Sequence, residues 1–394
     1  MPIYKLTVVN QAYNWISPAL QTIKRANWYR SPQAIQSRQS NLVQVGDRSL
    51  VMFASNNYLD LADHPDLTTA AIAAIHTYGT GATGSRLVSG HLDLHEQLEQ
   101  ELAQWKNTEA ALVFSSGYLA NLGVVTALVG TRDLVLADQY SHACLQQGAR
   151  LSGATVRVFT HNHLGSLEQK LLELRPQYRR CLIITEAIFS MDGDRAPLAE
   201  IVQLGEAFEA MVLVDEAHST GVLGKQGSGL VEHLGISQPL IQTGTLSKAL
   251  GSQGGYVAGT KELIDFCRNR AATWIYTTGL SPGDTAAAIA ALEIIRTEPD
   301  RRHQLWQNIR HCQNLLAQAH IPCLPSDSAI FGLNFGEIST NLAIAQGLNQ
   351  AGFLAPAIRP PTVPTARIRI TLNSAHQAHQ IEQLVDTLAS LYHY

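Results

Sequence analysis

Residues 211–218 read M-V-L-V-D-E-A-H: a short apolar run, then Asp215, then His218 three positions on. Four further stretches repeat the design, A-L-V-F-S-S from 111, D-L-V-L-A-D from 133, T-V-R-V-F-T from 155 and C-L-I-I-T-E-A from 181. Most of them put polar or reactive residue types at the carboxyl end. Between them lie longer amphipathic runs, for example Leu94, Leu98, Leu102 and Trp105 at helical spacing. Short apolar strands alternating with helices predict an α/β fold with a mainly parallel central sheet buried on both faces. Taken alone, Asp215 and His218 fit a helix cap, a metal ligand or a functional pair.

At 394 residues the chain is long enough for a large domain and a smaller companion. The texture changes near residue 282. Helical runs at 283–296, 301–319, 341–352 and 376–391 then surround short strands such as A-I-F-G-L-N-F and A-R-I-R-I-T-L. The expected division is an amino-terminal arm over 1–45, a large domain over 46–282 and a small α+β domain over 283–394. P-P-T-V-P at 360–364 reads as a rigid loop.

Apolar residues make up 45% of the chain and charged residues 15%, a globular balance. A formal net charge of −4 without a basic run argues against nucleic acid or an anionic membrane as the main partner. The terminus M-P-I-Y-K-L-T-V-V-N lacks the plan of a secretory leader, and A-A-A-I-A-A-L at 286–292 is too short to span a bilayer. The expectation is a soluble, cytoplasmic protein. Cys144, Cys181, Cys267, Cys312 and Cys323 show no C-x-x-C spacing, so buried thiols are expected rather than disulfides or zinc.

Two motifs mislead. G-T-G-A-T-G at 79–84 matches the dinucleotide fingerprint in letters, yet helical texture precedes it and a loop follows, so a flexible glycine loop lining some other pocket is expected. His91 and His95 lie four apart without H-E-x-x-H around them, and a solvated helix start is expected there rather than a metal site. G-T-L-S-K-A-L-G at 244–251 fails as a Walker loop, because Ser247 precedes Lys248 and Ala249 follows it.

Lys248 makes sense beside the other strand ends. Pyridoxal 5′-phosphate needs an amine for its aldehyde, a carboxylate for its ring nitrogen, donors for its phosphate and a flat group against its ring. Lys248 supplies the amine, and Asp215 the carboxylate. F-S-S-G-Y at 114–118 offers the Gly117 and Tyr118 amides at a helix start, with the Thr245 hydroxyl nearby, for the phosphate. His142, in D-Q-Y-S-H-A, would stack on the ring. Gly251, Gly254 and Gly255 read as room for backbone beside a bulky cofactor.

The same segments resemble the α-oxoamine synthases, fold type I enzymes that join an amino acid to an acyl thioester with loss of carbon dioxide. The resemblance rests on A-S-N-N-Y-L-D-L-A at 54–62, G-S-R-L-V-S-G at 84–90, S-S-G-Y-L-A-N at 115–121, S-H-A at 141–143, I-F-S-M-D-G-D at 188–194, D-E-A-H-S-T-G at 215–221 and G-T-L-S-K at 244–248. F-S-M-D-G-D-R-A-P-L-A-E-I, W-I-Y-T-T-G-L-S-P and I-R-P-P-T-V-P-T-A-R-I-R-I-T-L are most similar to the biotin-pathway branch. The chain departs at A-T-G-S-R, where many relatives have G-G-S-R, and at the inserted-looking Lys225-Gln226, expected to be exposed.

That resemblance implies L-alanine and a pimeloyl thioester, on coenzyme A or acyl carrier protein, as substrates for 8-amino-7-oxononanoate. It implies a homodimer with the active site at the interface, where Thr277 or Thr278 would reach the partner's phosphate. His218 would bond the ring hydroxyl, Ser190 would touch the cofactor, and Arg369 would clamp a carboxylate with its guanidinium fork. Arg30 and Thr362 match substrate-contacting positions. Glu186 is a carboxylate placed either near the reacting atoms or in a structural hydrogen bond. The alternatives are a sister synthase taking glycine and a short acyl thioester, and more remotely an aminotransferase.

Overall fold

A computed structural model describes residues 11–392. The first ten residues, the start of the expected arm and the stretch read for a leader, lie outside the described residues, as do 393 and 394. Seven strands form the central sheet: β1 (Ala110–Phe114), β2 (Leu134–Asp138), β3 (Thr155–Phe159), β4 (Cys181–Glu186), β5 (Met211–Asp215), β6 (Ile241–Thr245) and β7 (Gly255–Gly259). Their spatial order is β1-β7-β6-β5-β4-β2-β3. Strands β2 to β6 run parallel, while β7 runs antiparallel to both β6 and β1.

Every residue of β2, β4, β6 and β7 is buried, which is why β2 and β4 read as nearly continuous apolar runs rather than alternating ones. Helices Gly117–Leu128, Ala143–Leu151, Leu164–Leu174 and Leu198–Ala207 connect the parallel strands. All carboxyl ends of the parallel strands therefore open on one edge, the usual place for a ligand in such sheets. Because β7 runs backward, its first residue, Gly255, lies on that edge too; it pairs with Phe114 and Thr245 at the ends of β1 and β6.

The carboxyl-terminal part holds a small antiparallel sheet of Ile330–Leu333, Arg367–Thr371 and Ala357–Ile358, with helices Asp300–Gln318, Ile338–Gln350 and Ala378–Tyr392 beside it. A second sheet joins the two ends of the chain. Ser37–Gln39, Leu42–Val45 and Arg48–Met52 form a meander, and Phe353–Leu354 adds to it in parallel. The hairpin between Leu42–Val45 and Arg48–Met52 runs across position 45, so the arm is tied by backbone pairing to residues 48–52. Helix Pro282–Thr297 packs on Pro65–Tyr78; Gly283 leaves room for Ile75, which a Cβ would approach to 3.2 Å.

Several sequence expectations change. Cys323 is exposed, whereas the other four cysteines are buried. The 79–84 stretch follows a helix, as read; Gly79 and Gly81 have open space around them, and close packing begins at Gly84. A Cβ on Gly90 would sit 1.8 Å from the Gly84 carbonyl oxygen, and one on Gly279 would sit 2.5 Å from that of Gly90. The loop thereby seats the 277–279 segment, with Ser85 bridged to Thr278. His95 is buried, its two ring nitrogens taken by the Leu92 amide and the Leu280 carbonyl, and not a solvated helix start. Lys225 and Gln226 are exposed. Among the described residues no helix is long and apolar enough to cross a membrane.

Candidate active site

The β5 strand ends at Asp215, and the chain then turns so that Asp215 and Glu216 face opposite ways. Glu216 goes inward, where it forms a buried ion pair with Lys106 and accepts from the Val231 amide. Asp215 goes to the open edge. Its Oδ2 accepts 2.6 Å from Asn121 Nδ2 and its Oδ1 accepts 2.9 Å from the Ala217 amide. Asn121 is fixed in turn, because its Oδ1 accepts from the Thr243 hydroxyl at 2.7 Å. These bonds hold the carboxylate in one orientation at a 6% exposed position.

Lys248 follows β6 by three residues. Burial lowers its amine pKa, the Asp215 and Glu186 carboxylates pull it back part of the way, and the result is about 8. Nζ stands 2.7 Å from His218 Nε2, and His218 Nδ1 stands 2.6 Å from the Tyr58 hydroxyl. Burial, then the Lys248 and Arg369 charges, hold His218 well below the ordinary imidazole range, so it is neutral and accepts at one nitrogen only. With a charged Lys248 donating to Nε2, the ring proton sits on Nδ1 and points at Tyr58. The Tyr58 hydroxyl, kept protonated by burial, reaches Asn56 Oδ1 at 3.4 Å.

Asn56 closes this line on Arg369. The guanidinium donates from Nη2 to Asn56 Oδ1 at 3.0 Å, from Nη1 to the Thr371 hydroxyl at 3.0 Å and from Nε to the Ser190 carbonyl at 2.7 Å. Burial lowers its pKa, but an arginine at this depth keeps its charge. An amine that can shed its proton and a fixed guanidinium thus share one hydrogen-bonded network. Ser190, expected from the sequence to contact the cofactor, enters this network through its main-chain carbonyl.

His142 caps helix Ala143–Leu151. Its Nδ1 accepts from the Cys144 amide at 3.3 Å and lies 2.8 Å from the Cys144 thiol, which burial pushes up to about 12 and so keeps protonated. That assigns the ring proton to Nε2. The His142 amide donates to Glu186 Oε1 at 2.6 Å. Burial first, and the Asp215 charge next, push the Glu186 carboxyl well above its usual range, as expected for two acids facing each other across β4 and β5. Glu186 therefore combines both roles the sequence left open, bonded to backbone and beside the reacting edge.

The phosphate seat expected from the sequence is a helix start. In Gly117–Leu128 the Leu119 amide bonds to the Ser116 side chain and the Ala120 amide to the Ser116 carbonyl, which leaves the first two amides, of Gly117 and Tyr118, without an acceptor inside the helix. A Cβ on Gly117 would fall 3.2 Å from Thr245 Cβ and 3.3 Å from the Gly244 oxygen, a tight fit that glycine relieves. The Thr245 hydroxyl donates to the Gly254 carbonyl at 3.0 Å and accepts from the Ser247 amide at 3.1 Å. The Tyr118 side chain leans away to Gln147 and is 39% exposed, so its amide is the part that faces the seat.

The glycines after Lys248 make room for the protein's own backbone rather than for a ligand. A Cβ on Gly251 would meet the Ala62 nitrogen at 2.7 Å, and one on Gly255 would meet the Gly117 nitrogen at 2.3 Å. Gly255 therefore sets how close the Gly117 amide comes to β7.

Arg30 and Thr362 stand apart from this centre but together. Arg30 Nη2 donates to the Thr362 hydroxyl at 2.8 Å across an exposed contact, and Arg359 reaches back to the Asn27 and Tyr29 carbonyls. Sequence reasoning had not joined these two residues. It also gave no role to Asn121, Thr243, Asn56 or Tyr58, although Asn56, Tyr58 and Asn121 lie inside motifs that it used.

An amine, an oriented carboxylate, a flat neutral imidazole and a glycine-floored helix start meet the chemical requirements of pyridoxal 5′-phosphate. Comparison with known proteins agrees. Residues 48–388 match the model of aminotransferase class I and II. A protein of Nostoc sp., provisionally named 8-amino-7-oxononanoate synthase, is 56% identical over 381 residues, covering 96% of this chain and 99% of its own. A protein of Rippkaea orientalis with the same provisional name is 54% identical, covering 96% and 100%. Among solved structures, serine palmitoyltransferase from S. paucimobilis with a bound PLP–myriocin aldimine superposes with a TM-score of 0.91 at 28% identity, covering 96% and 97%. The 8-amino-7-oxononanoate synthase of Francisella tularensis superposes at 0.75 and 29%, covering 86% and 97%.

Proposed function

The chain belongs to the aminotransferase class I and II family, and within it to the α-oxoamine synthases; from that premise we propose that it condenses L-alanine with a pimeloyl thioester, with decarboxylation, to give 8-amino-7-oxononanoate. Its fold is PLP-dependent fold type I and its cofactor is pyridoxal 5′-phosphate. The observation that carries the reading is the single network from Lys248 through His218, Tyr58 and Asn56 to Arg369. It presents a proton acceptor and a carboxylate clamp to the two ends of one small amino acid.

When bound, the cofactor supplies the electron sink for the pair left at the substrate's α carbon. Lys248 Nζ would anchor it and, as a free amine, would take the α proton; a pKa near 8 leaves a share of free amine at neutral pH. His218 accepts the hydrogen bond of the protonated amine, so the charge formed at Lys248 is not left alone in the buried site. Asp215 would hold the ring nitrogen, Gly117 and Tyr118 would hold the phosphate with Thr245 shaping the floor, and His142 would be the flat group against the ring. Arg369 holds the alanine carboxylate until carbon dioxide leaves. Carbon–carbon bond formation breaks the thioester's carbon–sulfur bond, and the thiol departs with a proton.

Arg30 and Thr362 are assigned to the acyl donor. An exposed arginine paired with a threonine hydroxyl suits an acyl chain that enters from outside and ends in a polar group. The partner subunit of a homodimer is assigned to Thr277 and Thr278.

The test is a product assay with purified holoenzyme. L-Alanine, glycine and L-serine are each paired with pimeloyl-CoA, pimeloyl-acyl carrier protein and acetyl-CoA, while thiol and carbon dioxide are followed together. Release of both at equal rates with alanine and a pimeloyl donor is expected. Turnover confined to glycine with acetyl-CoA moves the chain to a sister branch, and amino transfer without thiol release rejects the synthase reading.

A further inference from the structure

His161 follows β3 and touches none of the groups assigned above. Its Nδ1 stands 2.8 Å from Asp138 Oδ1, at the end of β2, and its Nε2 stands 2.8 Å from Asp194 Oδ2. Two carboxylates on the two nitrogens of one ring require a proton on each, which makes the imidazole a cation. The ring is sandwiched as well, with Tyr140 at 4.5 Å and the Phe189 edge at 4.4 Å between centroids. Burial pulls its pKa down, and the bonds to Asp138 and Asp194 outweigh that and push it up to about 9.

Asp194 belongs to a tight loop. Phe189 donates to the Asp194 carbonyl at 3.0 Å, and Gly193 donates to the Phe189 carbonyl at 2.9 Å. The loop's inner side faces the small domain, where the Ser190 carbonyl accepts from Arg369, Asp192 pairs with Arg367, and the Gly193 carbonyl accepts from the Asp327 amide at 3.0 Å. Asn162, next to His161, also donates to Asp194 Oδ2 at 2.7 Å, and its amide donates to Asp138 Oδ2 at 2.9 Å. His161 is the cationic member of this junction between β2 and the loop.

We infer that His161 is a positioning residue: as a cation bridging Asp138 and Asp194, it holds the 188–195 loop where the Ser190 carbonyl aims Arg369 at the carboxylate of the amino-acid substrate. This rests on the reading of Arg369 as that clamp. Removing the cation leaves Asp138 and Asp194 with unbalanced charge, the loop relaxes, and amino-acid affinity falls while the proton transfer at Lys248 is untouched. The groups facing His161 from every packed element are Asp138, Asp194 and Tyr140; Arg367, the nearest cation on the small-domain strand, is engaged by Asp192.

The test uses holoenzyme of the wild type and of His161→Gln, and titrates L-alanine, glycine and L-serine by the change in cofactor absorbance from pH 6.5 to 10. The variant is expected to bind whichever of the three the wild type prefers about tenfold more weakly at pH 7, with kcat changed less than about twofold. The readout is the ratio of the two dissociation constants, because Lys248 titrates in both proteins and cancels. That ratio should fall toward one as the pH rises through about 9 and wild-type His161 loses its proton. A ratio near one at all pH values, or one that is large but independent of pH, overturns the inference. A preference for glycine or serine over alanine corrects the substrate and leaves the inference standing. If none of the three perturbs the cofactor band, the clamp reading fails, and nitrogen-15 histidine NMR decides separately: a neutral His161 at pH 7 overturns its role as a cation. Asp194→Asn, which keeps a hydrogen-bond acceptor for the ring, is the second variant should His161→Gln not fold; it should also weaken amino-acid binding and remove the pH dependence.

Discussion

Lys248 and Arg30 stand at opposite extremes of this molecule. Lys248 is enclosed, and the groups of its site are held by further bonds: His218 by Tyr58, Asp215 by Asn121, Asn121 by Thr243. Arg30 meets Thr362 on the surface through one hydrogen bond between segments 332 residues apart. The first kind of site is preorganised for chemistry, and its members fail as a unit when one is removed. The second kind rests on a single exposed bond, which contributes little to the fold.

The largest effect should come from Lys248→Ala. Loss of the amine should lower kcat by about a thousandfold or more, with the fold unchanged by circular dichroism. Activity within tenfold of wild type would erase the contrast at its strong end. Gly255→Ala comes next. Its new Cβ would lie 2.3 Å from the Gly117 nitrogen and force β7 or the phosphate-facing helix to shift, so cofactor affinity should fall by about a hundredfold when measured by equilibrium dialysis. Arg30→Ala should be milder, raising KM for the acyl donor about tenfold with kcat nearly constant. A fall in kcat equal to that of Lys248→Ala would place Arg30 in the enclosed centre instead.

The smallest effect concerns charge alone. In the apoenzyme Lys248 should react with an acylating reagent with a midpoint near pH 8, against about 10.4 for an ordinary lysine. Its folded pKa lies below the unfolded value, so the charged form is the one that folding disfavours. The associated stability penalty is greatest below pH 8 and shrinks as pH rises from there toward the unfolded value. For His161 the sign is reversed, since its folded pKa is raised. Its contribution is fully present below about 6.5 and is lost as pH rises through about 9. The melting-temperature gap between wild type and His161→Gln should narrow over that interval.

The legible part of this architecture was the part written in short local patterns. M-V-L-V-D and C-L-I-I-T-E announce buried parallel strands because neither face meets water, and both end at the reactive edge. The strands I-Q-T-G-T and G-Y-V-A-G gave weaker signals, since glycine and threonine dilute their apolar character, yet both are fully buried. Lys248, Asp215 and His142 could be assigned because each residue type answers one chemical need of the cofactor. Tyr58 and Asn56 could not, because what matters about them is a partner 160 or 313 residues away. Ser190 shows a further limit: its motif was informative, but the useful atom is a carbonyl that every residue possesses.

The reversed strand β7 has a consequence for how the chain reaches its native state. β1 lies at the end of the sheet with β7 as its sheet neighbour, so residues 110–114 find a place only after residues 255–259 have arrived. A pairing that closes so long a loop is entropically late in folding. The helix that bears the Gly117 and Tyr118 amides begins three residues after β1 and is oriented by that same pairing. Cofactor capture should therefore mark the last step of assembly, and the rate at which refolding chains gain the bound chromophore should trail the recovery of helical signal.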